Sequence, residues 1–559
     1  MIAAQRAPRR PKPLNALHWS TMPALPTSWF TLGLALCAAL PPLLMLLLAL
    51  WPQREAGPGT PDRPRLWRRF RRVCTLALLL VLGQLLLIVL QPLLAPQAAA
   101  ELKALGQPWL QTSLLGAALA LLVQLLGTVI AAFSSRYLEG EARQGRYAAA
   151  LAGVLAAVHL LLLADHWLPL ILAWALVGVV LERLLCFYAS RPFARLAAHK
   201  KRLADRLADV LLLAAAGLAW QAVGSGSFEA LRQALQAGAL NESLSLQLSA
   251  VLLVLAVMLR SALLPVHGWL IQVMEAPTPV SALLHAGVVN LGGVVLIRFV
   301  PLLEQAPLAR GLLVVAGLAT ALLAGLVMLT RISIKVRLAW STVAQMGFML
   351  MECGLGLYTL AALHLIGHSL YKAHAFLSAS EAVREARLRA LRPSQQASAA
   401  SLWLAPLLSA ALVGGLALTL QPAAWPWWWS SVLALAWAPM LWWSDRESAL
   451  TRLAAALPML AGLALAALLL HGLPLGLQDR PFEALGPLVL AGMAGLYLGL
   501  ALLQRRPEGL SGWRRWSYAG FYLDEIYTRL TLRLWPTRWT PAQAPHWRGA
   551  SPSLATHQP

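Results

Sequence analysis

Two stretches of an otherwise apolar chain hold residues whose types and spacing could do chemistry. In "ALHLIGHSLYKAHAFLSAS" (362–380), His364, His368 and Lys372 fall at i, i+4 and i+8, which sets them on one face of a helix. Imidazoles titrate near neutral pH, and a lysine shielded from water can join them in proton exchange. Such a stripe is what a proton relay needs. His374 is off the stripe and reads as structural. In "LRSALLPVHGWLIQVMEAPTPVSALLH" (259–285), Arg260, Glu275 and His285 share an apolar stretch with Pro265, Pro277 and Pro279. Proline lacks an amide hydrogen and clashes with the preceding turn. Pro265 therefore predicts a helix break, and Pro277 with Pro279 a second interruption. A break at membrane depth is tolerated only where backbone lines a wet cavity or is buried in protein, and transporters place ion sites at such breaks. The plainer alternative is a Pro-containing loop with an interfacial histidine.

Two further segments carry charge into apolar surroundings. "RISIKVRLAWSTVAQMGFML" (331–350) brings Lys335 and Arg337 into a helix. Lys335 reads equally as a topology charge or as an intermediate charge reaching inward. In "RLADRLADVLLL" (202–213), Arg206 and Asp209 stand at i, i+3 as a local ion pair.

The elements that must position these residues are membrane helices. The chain has 559 residues, 59% hydrophobic and 12% charged, with mean hydropathy +0.65. Runs of about 20 apolar residues recur along it, each long enough to cross a hydrocarbon core of about 30 Å as a helix. About 15 such spans are legible: 28–51, 73–95, 109–133, 147–164, 167–188, 207–223, 247–270, 280–300, 311–330, 336–356, 358–379, 402–420, 428–443, 454–472 and 485–503. The fold class is an all-α polytopic membrane protein of about 14–15 transmembrane helices.

The net charge of +22 points to membrane topology, not nucleic acid. Loops after odd-numbered spans hold about 25 Lys and Arg, including "RPRLWRRFRR" (63–72) and "KKR" (200–202), against about 5 after even-numbered spans. Basic loops face the cytoplasm, so the C-terminus is expected there and the N-terminus outside. The basic "RAPRRPK" (6–12) pulls the other way. These loops also suit contact with anionic lipid. Cys37, Cys74, Cys186 and Cys353 are scattered, with no C-x-x-C, and no zinc site is expected. A GxGxxG fingerprint, a P-loop and a GxSxG elbow are also missing, so the chain reads as a transporter and not an enzyme.

The expected organisation is an unstructured N-terminal segment (1–27), N-terminal transmembrane helices (28–133), a first repeat (134–300), a second repeat (301–445), C-terminal transmembrane helices (446–503) and a cytoplasmic interfacial tail (504–559). The spacing of 224–246 suits either an amphipathic surface helix or a linker. The tail stretch 511–536, aromatic and basic with Asp524 and Glu525, reads as a helix lying at the interface or docking on a partner.

Three stretches carry a family resemblance: "LPVHGWLIQVMEAPTPVSALLHAGVV" (264–289), "IKVRLAWSTVAQMGFM" (334–349) and "HLIGHSLYKAHAFLSA" (364–379). They resemble signatures of the antiporter-like family, the large membrane subunits of respiratory complex I and the Mrp cation antiporters. The resemblance runs from about residue 110 to 380. It implies two inverted five-helix repeats, spans 4–8 and 9–13, each with a broken helix. It also implies an ion path comprising Glu182, Asp209, Arg260 and His285, with Lys335, His364, His368 and Lys372. There are departures. Trp174-Ala175 stands where the family has Trp-Glu, and Glu182 is two turns along as a replacement. Arg260 holds the place of a lysine, and arginine does not give up its proton. The stretch 402–420, where the resemblance implies the second broken helix, lacks the charge that the family has there.

The short C-terminus, "GFYLDEIYTRLTLRLWP" (520–536), resembles that of the branch called DabB. That likeness implies a cation-translocating (H⁺ or Na⁺), energy-coupling subunit in a bacterial inner membrane, working in a two-part inorganic carbon uptake complex. The expected partner is a large cytoplasmic, carbonic-anhydrase-like subunit (DabA-like), which would hold the zinc and hydrate CO₂ to bicarbonate. No cofactor is expected in this chain. The alternative is a proton-pumping or Na⁺/H⁺ antiporter subunit of a complex I or Mrp type assembly.

Overall fold

A computed structural model describes residues 27–51, 62–97, 109–238, 243–390, 396–421, 424–445, 448–506, 508 and 510–537. The segment expected to be unstructured, 1–27, lies outside the described residues apart from Thr27, and so does the basic 6–12 stretch.

Every expected span is helical. In chain order the helices are α1 (Thr27–Leu50), α2 (Asp62–Leu94), α3 (Leu114–Tyr137), α4 (Gln144–Leu163), α5 (Trp167–Leu185), α6 (Pro192–Val223), α7 (Phe228–Gln236), α8 (Leu244–Arg260), α9 (Gly268–Ile271), α10 (Thr278–Ala286), α11 (Leu291–Arg298), α12 (Val300–Glu304), α13 (Pro307–Leu329), α14 (Ile334–Leu355), α15 (Tyr358–Leu377), α16 (Ala379–Ala390), α17 (Ala399–Leu420), α18 (Trp427–Trp437), α19 (Ala449–His471), α20 (Gly486–Arg505), α21 (Ser511–Tyr518) and α22 (Leu523–Leu534). Eleven helices among the described residues are long and apolar enough to cross a membrane. The expected spans outside that set are α8, α14, α15 and α18. Two of them hold the charges of interest, with Lys335, Arg337 and Glu352 in α14 and three histidines and Lys372 in α15. The third, α8, stops at Arg260.

Several expected loops are helical instead. The basic 63–72 stretch opens α2, whose 33 residues span about 50 Å. The Lys-rich 200–202 lies inside α6. Charged first turns outlast the apolar core because water solvates them while the backbone ladder continues. The 228–236 part of the presumed surface segment is the amphipathic α7, which buries Phe228, Leu231 and Leu235.

Successive turns meet at alternate ends of the bundle, as the charge pattern requires. At the basic end, Arg191 Nη1 donates to Glu275 O (2.8 Å), Tyr188 OH to Glu141 Oε1 (3.0 Å) and Lys335 Nζ to Thr278 Oγ1 (2.7 Å). At the other end, Asp165 N bonds Trp109 O (2.9 Å), Phe228 N bonds Asp165 O (3.1 Å) and Arg480 N bonds Gly356 O (2.9 Å).

The predicted break is present, but it starts at Arg260, not at Pro265. Helix α8 ends there, Ala262 takes a left-handed φ of 55°, and Leu264–Pro265 is cis. A left-handed alanine costs about 1–2 kcal/mol, so tertiary packing holds the turn; Ala262 is fully buried. The chain resumes as α9 and a 3₁₀ turn, Gln272–Glu275. Pro277 precedes α10 and Pro279 sits in its first turn, where a missing amide hydrogen is tolerated. A further interruption, beyond the two that the prolines predict, was not expected: α10 stops at Ala286, and a 3₁₀ turn, Val288–Asn290, joins it to α11. The break implied for the second repeat is not at 402–420. There α17 runs through Pro406 as one helix.

Candidate ion path

Gly356 closes α14 with a left-handed φ of 80°, and a Cβ there would lie 2.0 Å from Arg480 O. Glycine permits the tight turn that lays α15 antiparallel to α14. Glu352, one turn before it, therefore faces His364: His364 Nδ1 and Glu352 Oε2 are 2.8 Å apart. The His364 and His368 rings follow, 6.1 Å between centroids. One turn further, fully buried Lys372 donates to Ser341 Oγ (2.7 Å) and Leu338 O (3.1 Å). His285, at the end of α10, stacks on Phe376 with centroids 4.5 Å apart and lies within electrostatic reach of Lys372 and His368. Asn290 Nδ2 ties the α10–α11 junction to α15 through Ser369 Oγ (2.8 Å). His285, His368 and Lys372 thus converge, with Glu352 and His364 leading away from the basic end. Neither ring nitrogen of His285 or His368 meets a hydrogen-bond partner among the described residues.

The first half is built differently. Arg260 is buried, donates to Trp174 O (2.7 Å), lies over the Trp174 ring and pairs with Asp209. Asp209 also faces the exposed Arg206, at 3.8 Å. One turn back along α6, buried Lys201 pairs with Asp205 and lies 4.8 Å over Trp269 of α9. Gly178 makes room, since a Cβ there would sit 2.6 Å from Asp205 Oδ2. Lys201 is also within electrostatic reach of Arg260 and Asp209. Lys200, fully buried, pairs with Asp524 of α22 at 2.7 Å.

The structure does not bring Glu182 to Arg260. Glu182 pairs with half-exposed Arg202, whose Nε donates to it at 3.0 Å. Lys335 stays at the basic end on Thr278, outside the histidine cluster. His374 is exposed. Sequence reasoning missed Lys200, Lys201, Asp205, Glu352 and Asp524. For two of these a signal existed: Lys201, Asp205 and Asp209 recur at i, i+4 and i+8, the same spacing as the α15 stripe.

At the end away from the basic loops, a cavity of 590 Å³ includes Asp165, Arg232, Arg298, Glu304 and Arg480 in its lining. Burial pushes the Asp165 carboxyl up, against the opposing pull of Arg232 and Arg298. Burial likewise raises Glu304, against Arg480.

Interrupted helices, ionisable groups buried among apolar spans and alternating polar ends define a multi-pass, antiporter-like membrane protein. Residues 164–443 match the model of a family described as "NADH:quinone oxidoreductase/Mrp antiporter, TM". The chain is 39% identical over 443 residues to "Probable inorganic carbon transporter subunit DabB" of Hydrogenovibrio crunogenus, covering 77% of this chain and 84% of that one. It is 43% identical over 376 residues to "Probable inorganic carbon transporter subunit DabB2" of Halothiobacillus neapolitanus, 65% of this chain and 66% of the relative. Its fold is similar to a chain in the structure of the Mrp complex from Dietzia sp. DQ12-45-1b, with a TM-score of 0.51, 21% identity, and 94% of this chain and 57% of that one covered. The chain belongs to the NADH:quinone oxidoreductase/Mrp antiporter transmembrane family, as a homologue of the DabB subunits.

Proposed function

We propose that this chain is the cation-translocating, energy-coupling subunit of a two-part inorganic carbon uptake complex in a bacterial plasma membrane. H⁺ or Na⁺ passes through the membrane part and drives CO₂ hydration in a cytoplasmic, carbonic-anhydrase-like zinc partner, with the C-terminus on the partner's side. Similarity to the DabB relatives, named as probable inorganic carbon transporter subunits, supports the substrate. The observation that carries the coupling role is the line Glu352–His364–His368–Lys372 with His285 beside it. Ionisable side chains at membrane depth are costly unless paired or wetted, and two of these histidines have no protein hydrogen-bond partner among the described residues. Groups of that kind suit exchange with water or a moving proton. Arg260, always charged and clamped by Asp209, acts in this reading as a fixed gate and not as a carrier.

The test is co-expression with the neighbouring partner gene in cells lacking carbonic anhydrase. Growth in air is expected with the wild-type chain and is expected to fail with Lys372→Ala or His364→Ala. Growth unaffected by both substitutions would sink the path. The family match also fits a second reading, a subunit of a complex I or Mrp type assembly. In that case the wild-type chain would support cation exchange in vesicles but no growth in air.

A further inference from the structure

The C-terminal segment folds back onto the broken helix. After α21, the residues Gly520, Phe521 and Tyr522 all take left-handed φ values, of 64°, 55° and 57°. Two non-glycine residues in that region cost about 1–2 kcal/mol each and persist only where the surroundings hold them. The Trp513 and Phe521 rings pack 5.3 Å apart, and those of Trp516 and Tyr522 5.8 Å apart. This turn aims the first residues of α22 into the bundle. There Asp524 Oδ1 accepts from Lys200 Nζ (2.7 Å) and Oδ2 accepts from Gln272 Nε2 (3.2 Å).

The approach is very close. A Cβ on Gly268 would lie 1.6 Å from Asp524 Oδ1, so only glycine at the start of α9 admits the carboxylate. His267, just before it, is buried, has an unpartnered Nε2 and lies within electrostatic reach of Asp524. Farther along the tail, Tyr527 OH donates to Lys200 O (3.4 Å), and His199 Nε2 lies 3.0 Å from Trp535 O. Burial pushes the Tyr527 phenol up to about 12, so it stays a donor at neutral pH.

We propose that Asp524 is the basic-end terminus of the first ion path, carried there by the C-terminal helix. The inference rests on the reading that this chain moves protons. Three pairs follow one another: Asp524–Lys200, Lys201–Asp205 and Asp209–Arg260. A pair whose cation is fully buried is a costly way to anchor a tail, since desolvation often cancels the Coulomb gain. It is a suitable way to exchange a proton. The Lys200 ammonium gives one proton to the Asp524 carboxylate, leaving an amine and a carboxylic acid. The acid then releases that proton to water at the basic end, and the amine is reprotonated from the interior. Because the tail delivers the carboxylate, the path is complete only while α22 is docked.

The test uses the full chain co-expressed with its partner, with uptake of labelled inorganic carbon as the rate and Lys372→Ala as reference. Tail docking is read separately by a short bis-maleimide cross-link between His199→Cys and Trp535→Cys, placed where the two residues approach. Asp524→Asn is expected to cut uptake at least tenfold while the cross-link still forms, and Asp524→Glu to keep at least half the rate with a shifted pH profile. Wild-type uptake in Asp524→Asn alongside a dead Lys372→Ala would overturn the proposal and leave the coupling function standing. Loss of the cross-link together with uptake in Asp524→Asn would also overturn it, reducing Asp524 to an anchor. Wild-type uptake in both variants would remove the proposed function as well.

Discussion

The two charged regions solve the same problem in opposite ways. In the first half the buried cations of α6 and the end of α8 are each matched by an acid: Lys200 by Asp524, Lys201 by Asp205 and Arg260 by Asp209. In the second region Lys372 donates to a hydroxyl and a carbonyl and faces no acid, and His368, with His285 brought to it from the first repeat, meets no protein hydrogen-bond partner among the described residues. A pair whose cation keeps its proton, as Arg260 does, stabilises one arrangement and resists change. Unpaired titratable groups can change charge without leaving a counter-ion stranded. Around Arg260 the first region is thus suited to gating, with proton exchange left to its Lys200–Asp524 end, and the second region is suited to carrying.

The largest expected effect breaks the second region without touching the fold. Lys372→Ala should reduce coupled uptake at least tenfold and barely change melting in detergent, because its lost partners, Ser341 Oγ and Leu338 O, are neutral. A melting loss as large as that of an ion-pair variant would erase the contrast between the halves.

Next comes the reverse case. Asp209→Asn strips buried Arg260 of its acid, and removing one partner of a buried pair typically costs about 3–5 kcal/mol. The expected result is a clear drop in melting temperature with any uptake loss following from it. Gly178→Ala should act on the same region more mildly. Its new Cβ would press on Asp205 Oδ2, and overpacking of this kind costs about 1–3 kcal/mol. Unchanged melting in Gly178→Ala would mean that Asp205 has room to turn away from Lys201.

These comparisons also mark where the sequence was legible. The spans were, because long apolar runs force helices in lipid. The α15 stripe was too, because His364, His368 and Lys372 are local in sequence and a helix fixes their common face. The break was located only to within a turn: Pro265 signals it, but α8 already ends at Arg260, where a buried charge turns aside to Asp209 and Trp174 O. The interruption after Ala286 had no proline to announce it, and Asn290 spans it by donating to Ala286 O and to Ser369 Oγ of α15. Lys200 and Asp524 could not be paired from sequence, since 324 positions separate them and no periodicity links a tail to a helix.

Glu182 is the instructive case and the smallest expected effect. Its spacing, two turns beyond Trp174-Ala175, made it the natural substitute for the family's helix 5 glutamate. Spacing along one helix places a residue on a face, but what lies opposite that face is set by the neighbouring helix. Across from Glu182, α6 presents Arg202, with a side chain 51% exposed. Such a solvated pair contributes about 0–1 kcal/mol. Across from Arg260, the same helix presents Asp209 and, one turn away, Asp205. The acid that answers position 260 therefore comes from α6 and not from α5. Glu182→Gln should change uptake less than twofold and leave melting nearly unchanged, while Asp205→Asn should lower both. A tenfold uptake loss in Glu182→Gln would return Glu182 to the path and move the gate outward from Arg260.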